Sequence, residues 1–239
     1  MKTFKTIPAL VLSLVLFLPL FALAAEESEK PDCPAYVTDV QGTAEVTTDE
    51  EEWTALEVNG CVYVGDVIRT GDESAVAMVL GAETLIRVNA NSNFQLWNED
   101  EDAEVPNELD MDLGEILTTI QPEEEGKEVP FKVNTPSGVV AVKGTEFFVG
   151  VDEDGKSDIK VLDGVVEAFN ELGKVLVEVG MATELLGGVL PAEPFGFDID
   201  KFNEYVGWAN ALKTGDFKKV IKDVIKNEAK KKLGGFGKF

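Results

Sequence analysis

The sequence predicts a mainly β protein, a short-strand β-solenoid or a rolled β-sandwich domain, followed by two C-terminal α-helices. Three observations lead there. Between residues 35 and 186, short apolar-polar alternations end on glycine: residues 74–80 run into Gly81, 157–162 into Asp163-Gly164, and 175–179 into Gly180. Period-two patterning with turn residues at short intervals marks an all-β domain. No helix-period segment interrupts these runs, which excludes a βαβ plan. Beyond Leu186 the pattern changes to glycine, proline and then helical spacing.

The first element is a leader. Lys2 and Lys5 precede an apolar run at 7–23, and Ala22-Leu23-Ala24 stands before Glu26, Glu27 and Glu29. That order predicts a cleavable secretory signal over 1–24, with the mature chain starting at Ala25 or Glu26. The run is short and holds Pro8 and Pro19, so a leader is favoured over a retained anchor. No second apolar run of roughly twenty residues follows, so a soluble periplasmic or secreted protein is expected. Cys33 sits behind Lys30-Pro31-Asp32, which lacks the small and apolar residues that lipidation requires.

The β domain is expected over 33–186. Cys33 precedes its first strand and Cys61 precedes Val62-Tyr63-Val64. In an exported chain such a pair persists as a disulfide, and closing so long a loop contributes about 3–4 kcal/mol. Val64-Gly65-Asp66-Val67-Ile68-Arg69-Thr70 is echoed by Leu113-Gly114-Glu115-Ile116-Leu117-Thr118, a weak internal repeat that suits either architecture. Residues 98–108 are nearly all acidic or turn-forming and read as a solvated loop. Asp163-Gly164 signals a hairpin or corner.

A Gly/Pro linker is expected over 187–197, two amphipathic helices over 198–233 and a flexible tail over 234–239. The first helix starts at Asp198 or Asp200 and puts Phe202, Tyr205, Val206, Ala209 and Leu212 on one face, ending before Gly215. The second starts at Asp216 and aligns Phe217, Val220, Ile221, Val224, Ile225 and Ala229. Its lysines allow weak contact with an anionic membrane surface, and docking of its apolar face on the rest of the chain is the favoured alternative.

Charge and missing residue types exclude several functions. Net charge is −24 and becomes −26 once Lys2 and Lys5 leave with the leader. From Lys213 onward nine lysines face three acids, so the body is more acidic still. Such a body repels nucleic acid. Histidine is absent, which removes the commonest general base and zinc ligand. No cofactor or metal site is expected. The acidic clusters at 49–52, 99–104 and 123–125 are dense, but spacing selects no catalytic pair among them. Asp152-Glu153-Asp154-Gly155 departs from a calcium loop at its twelfth position, Asp163, and reads as a hairpin turn.

Residues 131–149, FKVNTPSGVVAVKGTEFFV, join a strand, a Pro-Gly turn, a strand, a Gly-Thr break and another strand. With Trp53-Thr54-Ala55-Leu56, the Gly65-Asp66 through Thr70-Gly71 block, the strand at 74–80 and Val165-Val166-Glu167, they resemble the FecR-like domain, a periplasmic all-β module of cell-surface signalling proteins. The resemblance covers about residues 36–186. It implies a compact β-helix-like or rolled β fold and a protein-interaction module, not an enzyme. It implies structural roles for Gly65, Asp66, Thr70, Gly71, Thr135, Pro136, Gly138, Gly144, Thr145 and Phe147. Gly144 is expected at a bulge or a positive φ, with a larger residue disfavoured by strain and crowding. Signalling members of the family carry a cytoplasmic segment that controls a sigma factor, and then a spanning helix. Here a leader directly precedes the domain, so only the exported β module carries over. The expected function is non-enzymatic protein or ligand binding, or scaffolding, in the bacterial envelope. The alternative is an exported carbohydrate-binding or carbohydrate-active protein on a β scaffold.

Overall fold

The computed structural model describes residues 33–81, 83–98, 105–122 and 127–212. The expected leader, the stretch at 123–125, most of the 98–108 loop, the basic helix from Phe217 and the tail lie outside the described residues. Within them the chain runs through β1 (Ala35–Gln41), β2 (Ala44–Thr47), β3 (Thr54–Ala55), β4 (Cys61–Val62), β5 (Val67–Thr70) and β6 (Ala75–Leu80). It continues through β7 (Thr84–Val88), β8 (Asn93–Trp97), β9 (Glu108–Ile120), β10 (Phe131–Thr135), β11 (Gly138–Val142) and β12 (Glu146–Val151). The last elements are β13 (Ser157–Asp163), β14 (Val165–Asn170), β15 (Gly173–Glu178), β16 (Met181–Leu185), β17 (Phe195–Gly196), α1 (Ile199–Tyr205) and α2 (Gly207–Ala211).

The strands form two layers. One has the order β4-β1-β6-β7-β9-β12-β13-β16-β17. The other has the order β3-β2-β5-β8-β9-β10-β11-β14-β15. Among these pairings only β9–β10 is parallel. A solenoid stacks parallel strands coil on coil, so of the two expected architectures the rolled sandwich is the one observed.

The strand β9 belongs to both layers. Glu108 to Leu113 pair with β8, and Gly114 to Ile120 with β12 and β7. Gly114 makes the crossing with φ +105°, and a Cβ there would fall 2.4 Å from Ser92 Cα. Only glycine meets both demands without strain. Gly164, φ +80°, turns the chain from β13 in the first layer to β14 in the second, so Asp163-Gly164 is a corner and not a hairpin. The sequence echo is local. Gly65 (φ +91°) lies in the turn before β5, whereas Gly114 lies inside a strand, so the two segments are not coils of a repeat.

A single apolar core lies between the layers. Val37, Met78, Ile86, Ile116, Phe147 and Ile159 from the first layer meet Ile68, Phe94, Leu109, Phe131, Val140 and Val166 from the second, all essentially inaccessible. Alternate residues of each strand supply this core, as the period-two pattern requires. Cys33 and Cys61 are joined, with Cα atoms 5.3 Å apart, and tie the segment before β1 to β4.

The helices cover the outer face of the first layer. Phe202, Val206 and Ala209 pack on Leu117 and Phe148, and Leu212 packs on Ala75 and Ala77. Asp198 caps α1 by accepting from the Lys201 N–H at 3.1 Å. The expected single helix is divided at Val206, whose backbone leaves helical geometry just before Gly207. Glycine is a weak helix former and a common break point. The expected linker at 187–197 is partly tied down. Phe195 and Gly196 pair with Ala182 and Met181, and Thr183 Oγ1 donates to Ala192 O at 2.6 Å. No described helix is long and apolar enough to cross a membrane.

Candidate functional site

A cleft of about 750 Å³ lies on the outer face of the first layer, beside α1. Its floor is Gly114, Glu115, Phe148 and Gly150. Its walls are the β7–β8 turn (Asn89 to Asn91), the β12–β13 turn (Asp152 to Lys156) and the α1 residues Phe202 and Tyr205. Its size falls in the range of small-ligand and side-chain recognition sites.

Aromatic rings and paired charges set its chemistry. Phe148 and Phe202 meet edge to face, with centroids 5.1 Å apart. The Lys160 ammonium stands over both, 5.4 Å from the Phe148 centroid and 5.3 Å from that of Phe202, an attractive cation–π placement. Lys160 also pairs with Asp158. Glu115 accepts from the Tyr205 hydroxyl and from Asn89 Nδ2, the latter at 2.7 Å. Partial burial, and then the Glu115 carboxylate, push the Tyr205 phenol well above its ordinary value. Lys156 bridges to Glu184 at 2.7 Å, and that contact raises the lysine. Asp152 accepts from the Asp154 and Lys156 N–H groups at 3.0 and 2.9 Å, so its carboxylate shapes its own hairpin turn. The cleft therefore offers carboxylates of fixed orientation and two ammonium groups, one of them seated on buried aromatic rings, an arrangement suited to recognition.

None of the ten residues expected to be structural lines this cleft, but several hold its walls. Asp66 is buried at the start of β5, where its carboxylate accepts from Tyr63 N at 2.8 Å and Thr48 Oγ1 at 2.9 Å, while Gly65 N donates to Leu96 O. Thr70 Oγ1 donates to Asn89 O at 2.6 Å and accepts from Ser92 N at 2.9 Å. Gly71 O accepts from Asn91 N at 3.2 Å, and a Cβ at Gly71 would lie 2.4 Å from Thr43 Oγ1. Thr70 and Gly71 together fix the turn that delivers Asn89 to Glu115. Thr135 Oγ1 bonds Gly138 O at 2.9 Å and Ser157 Oγ at 2.7 Å. Pro136 lies against Gly155, and Ser137 Oγ donates to Gly155 O at 2.6 Å. The β10–β11 tip thus buttresses the β12–β13 turn. Gly138 allows the approach of Phe169 O, which a Cβ would meet at 2.4 Å.

Gly144 has φ +107°, as expected of it, but a Cβ there meets only Pro122 at 3.6 Å. The constraint is conformational, and the expected crowding is absent. Thr145 O accepts from Ile120 N, and Phe147 is fully buried in the core. Thr135, Pro136 and Gly138 also line a groove of about 650 Å³ on the second layer, and Gly144 and Thr145 one of about 550 Å³. Among the described residues no group of three or more Cys, Asp or Glu gathers as a metal site. Glu115 and Lys160 were not singled out by the sequence as site residues, and Tyr205, expected on the apolar face of its helix, is 55% exposed and lines the cleft instead. The one signal near them is the Gly114-Glu115 echo of Gly65-Asp66.

The family model described as FecR protein matches residues 66–167, from the start of β5 into β14. No curated protein matches the chain. Among solved structures it is similar to a protein from Parabacteroides distasonis ATCC 8503 described as an anti-sigma factor, in crystals at 1.65 and 2.50 Å resolution. Identities are 20% and 19% and TM-scores 0.48 and 0.47, with 59% of this chain covered in each case. The matches span 64% and 63% of the length of those chains.

Proposed function

From a chain that carries a FecR-like domain, we infer a non-enzymatic binding module of the bacterial envelope that engages its partner at the cleft beside α1. The partner is an envelope protein or ligand, and the module is exported behind the leader at 1–24. One observation carries the reading: Thr70, Gly71 and Pro136, three of the residues expected to be structural, brace the two turns that wall the cleft. Catalysis is not part of it. The cleft has no histidine, and Glu115, Asp158 and Glu184 are each engaged by a phenol, an amide or an ammonium group. A link to cell-surface signalling follows from the family alone.

The test is affinity capture from envelope extract with the mature chain as bait, beside a Glu153→Trp bait that fills the cleft mouth from an exposed rim position. A partner held by the native chain and lost with Glu153→Trp supports the reading. Equal recovery by both baits overturns the cleft as the contact.

A further inference from the structure

We propose that β15 is a self-association edge, through which two copies of this chain pair their second layers antiparallel about a twofold axis at Leu176. Three features of the strand support this occupant. Among the described residues β15 is the last strand of its layer and pairs on one side with β14. The turn at Glu171-Leu172 closes on the Asn170–Gly173 pair. In such a hairpin hydrogen-bonded and non-hydrogen-bonded pairs alternate from the closing pair, so Lys174, Leu176 and Glu178 direct their backbone N–H and C=O groups to the open side. Their side chains share the outer face of the layer, and each is exposed.

Register selects the second copy. With Leu176 opposite Leu176 of the other copy, every outward-directed pair is a hydrogen-bonding pair. Lys174 then lies opposite Glu178 on one side of the axis, and Glu178 opposite Lys174 on the other. Leu176, 61% exposed, meets its own copy at the centre, and Leu172, 54% exposed, lies opposite Gly180 of the other copy at each end. Sliding by two residues puts Leu176 opposite Lys174 or Glu178 and loses both charge pairs. Directly opposite charges in antiparallel strands attract and like charges repel. An exposed edge strand offers its unpaired N–H and C=O groups as a template for another chain, and a twofold interface must be self-complementary in this way. The pairing uses neither the cleft nor its walls.

Sedimentation equilibrium of the mature chain across a concentration series tests this, with Lys174→Glu, Glu178→Lys and the double exchange. The native chain should be a reversible dimer. Each single variant sets two like-charge pairs across the axis and should weaken dimerisation about tenfold or more, and the double exchange should restore it. Thermal melts at low concentration check folding, because Lys174→Glu also removes the Lys174–Glu167 contact at 2.8 Å. A native chain that stays monomeric overturns the proposal, and so does a dimer that ignores both single variants. A double exchange no tighter than the singles overturns the register.

Discussion

Replacing Gly114 by alanine probes the crossing of β9 from one layer to the other. Two costs combine. At φ +105° a residue with a Cβ is held in a sparsely populated region, at about 1–3 kcal/mol. The Cβ also lands 2.1 Å from Ser92 Oγ and 2.4 Å from Ser92 Cα, and because backbone must move, overpacking adds about 1–3 kcal/mol. Ser92 cannot retreat freely, since its Oγ accepts from Glu115 N at 3.1 Å and its N–H donates to Thr70 Oγ1. Gly144→Ala is the internal control, with nearly the same φ, +107°, but only Pro122 nearby at 3.6 Å. The expected losses are about 2–6 kcal/mol for Gly114→Ala and about 1–3 for Gly144→Ala. Urea unfolding followed by tryptophan fluorescence measures both. If Gly114→Ala costs no more than Gly144→Ala, β9 is not pinned at Ser92 and the account of the two-layer junction fails.

Other consequences are also measurable. Because the folded Tyr205 phenol titrates above its unfolded value, its contribution is fully present below about pH 10 and is lost as pH rises further. The stability gap between the native chain and Tyr205→Phe should therefore close in alkaline melts, and a constant gap contradicts the Glu115 contact. Replacing Cys33 and Cys61 together by serine should cost about 3–4 kcal/mol in non-reducing unfolding, from the loop their bridge closes, and unchanged stability refutes that assignment. Amino-terminal sequencing of protein from the envelope fraction should begin at Ala25 or Glu26, whereas an intact Met1 on protein held in the inner membrane contradicts export. Gly144→Val should lose about 1–3 kcal/mol by strain, and an unaltered melt would mean that the φ of this position is not enforced.

Much of the fold was legible because two-layer β proteins write their core in alternate residues. The runs at 74–80 and 157–162 became β6 and β13, and Asp198 caps the helix assigned to it. The choice between solenoid and sandwich was not legible, since alternation gives the buried face of a strand and not the direction of its neighbour. Nor was the division of the C-terminal helix. Val206 has the right period for the buried face, and only the glycine after it hints at the break. Gly144 shows a partial reading: its chemistry announced the backbone conformation, but the room around it depends on Pro122, distant in sequence. The cleft was almost invisible. Glu115, Lys160 and Tyr205 lie 45 and 90 positions apart, counted from Glu115, and no local pattern joins a strand interior to a helix end. Of the residues expected to be structural, Thr70 and Gly71 hold the turn at Asn89 and Pro136 lies against the turn at Asp152, a use that spacing alone did not give.

Hydrogen exchange read by mass spectrometry on the mature chain, alone and saturated with the partner it captures, tests the binding account most directly. The account predicts slowed exchange in β12, in the Asp152 to Lys156 turn, in the Asn89 to Asn91 turn and in α1. Unchanged exchange in all four, with protection confined to the second layer, would contradict it.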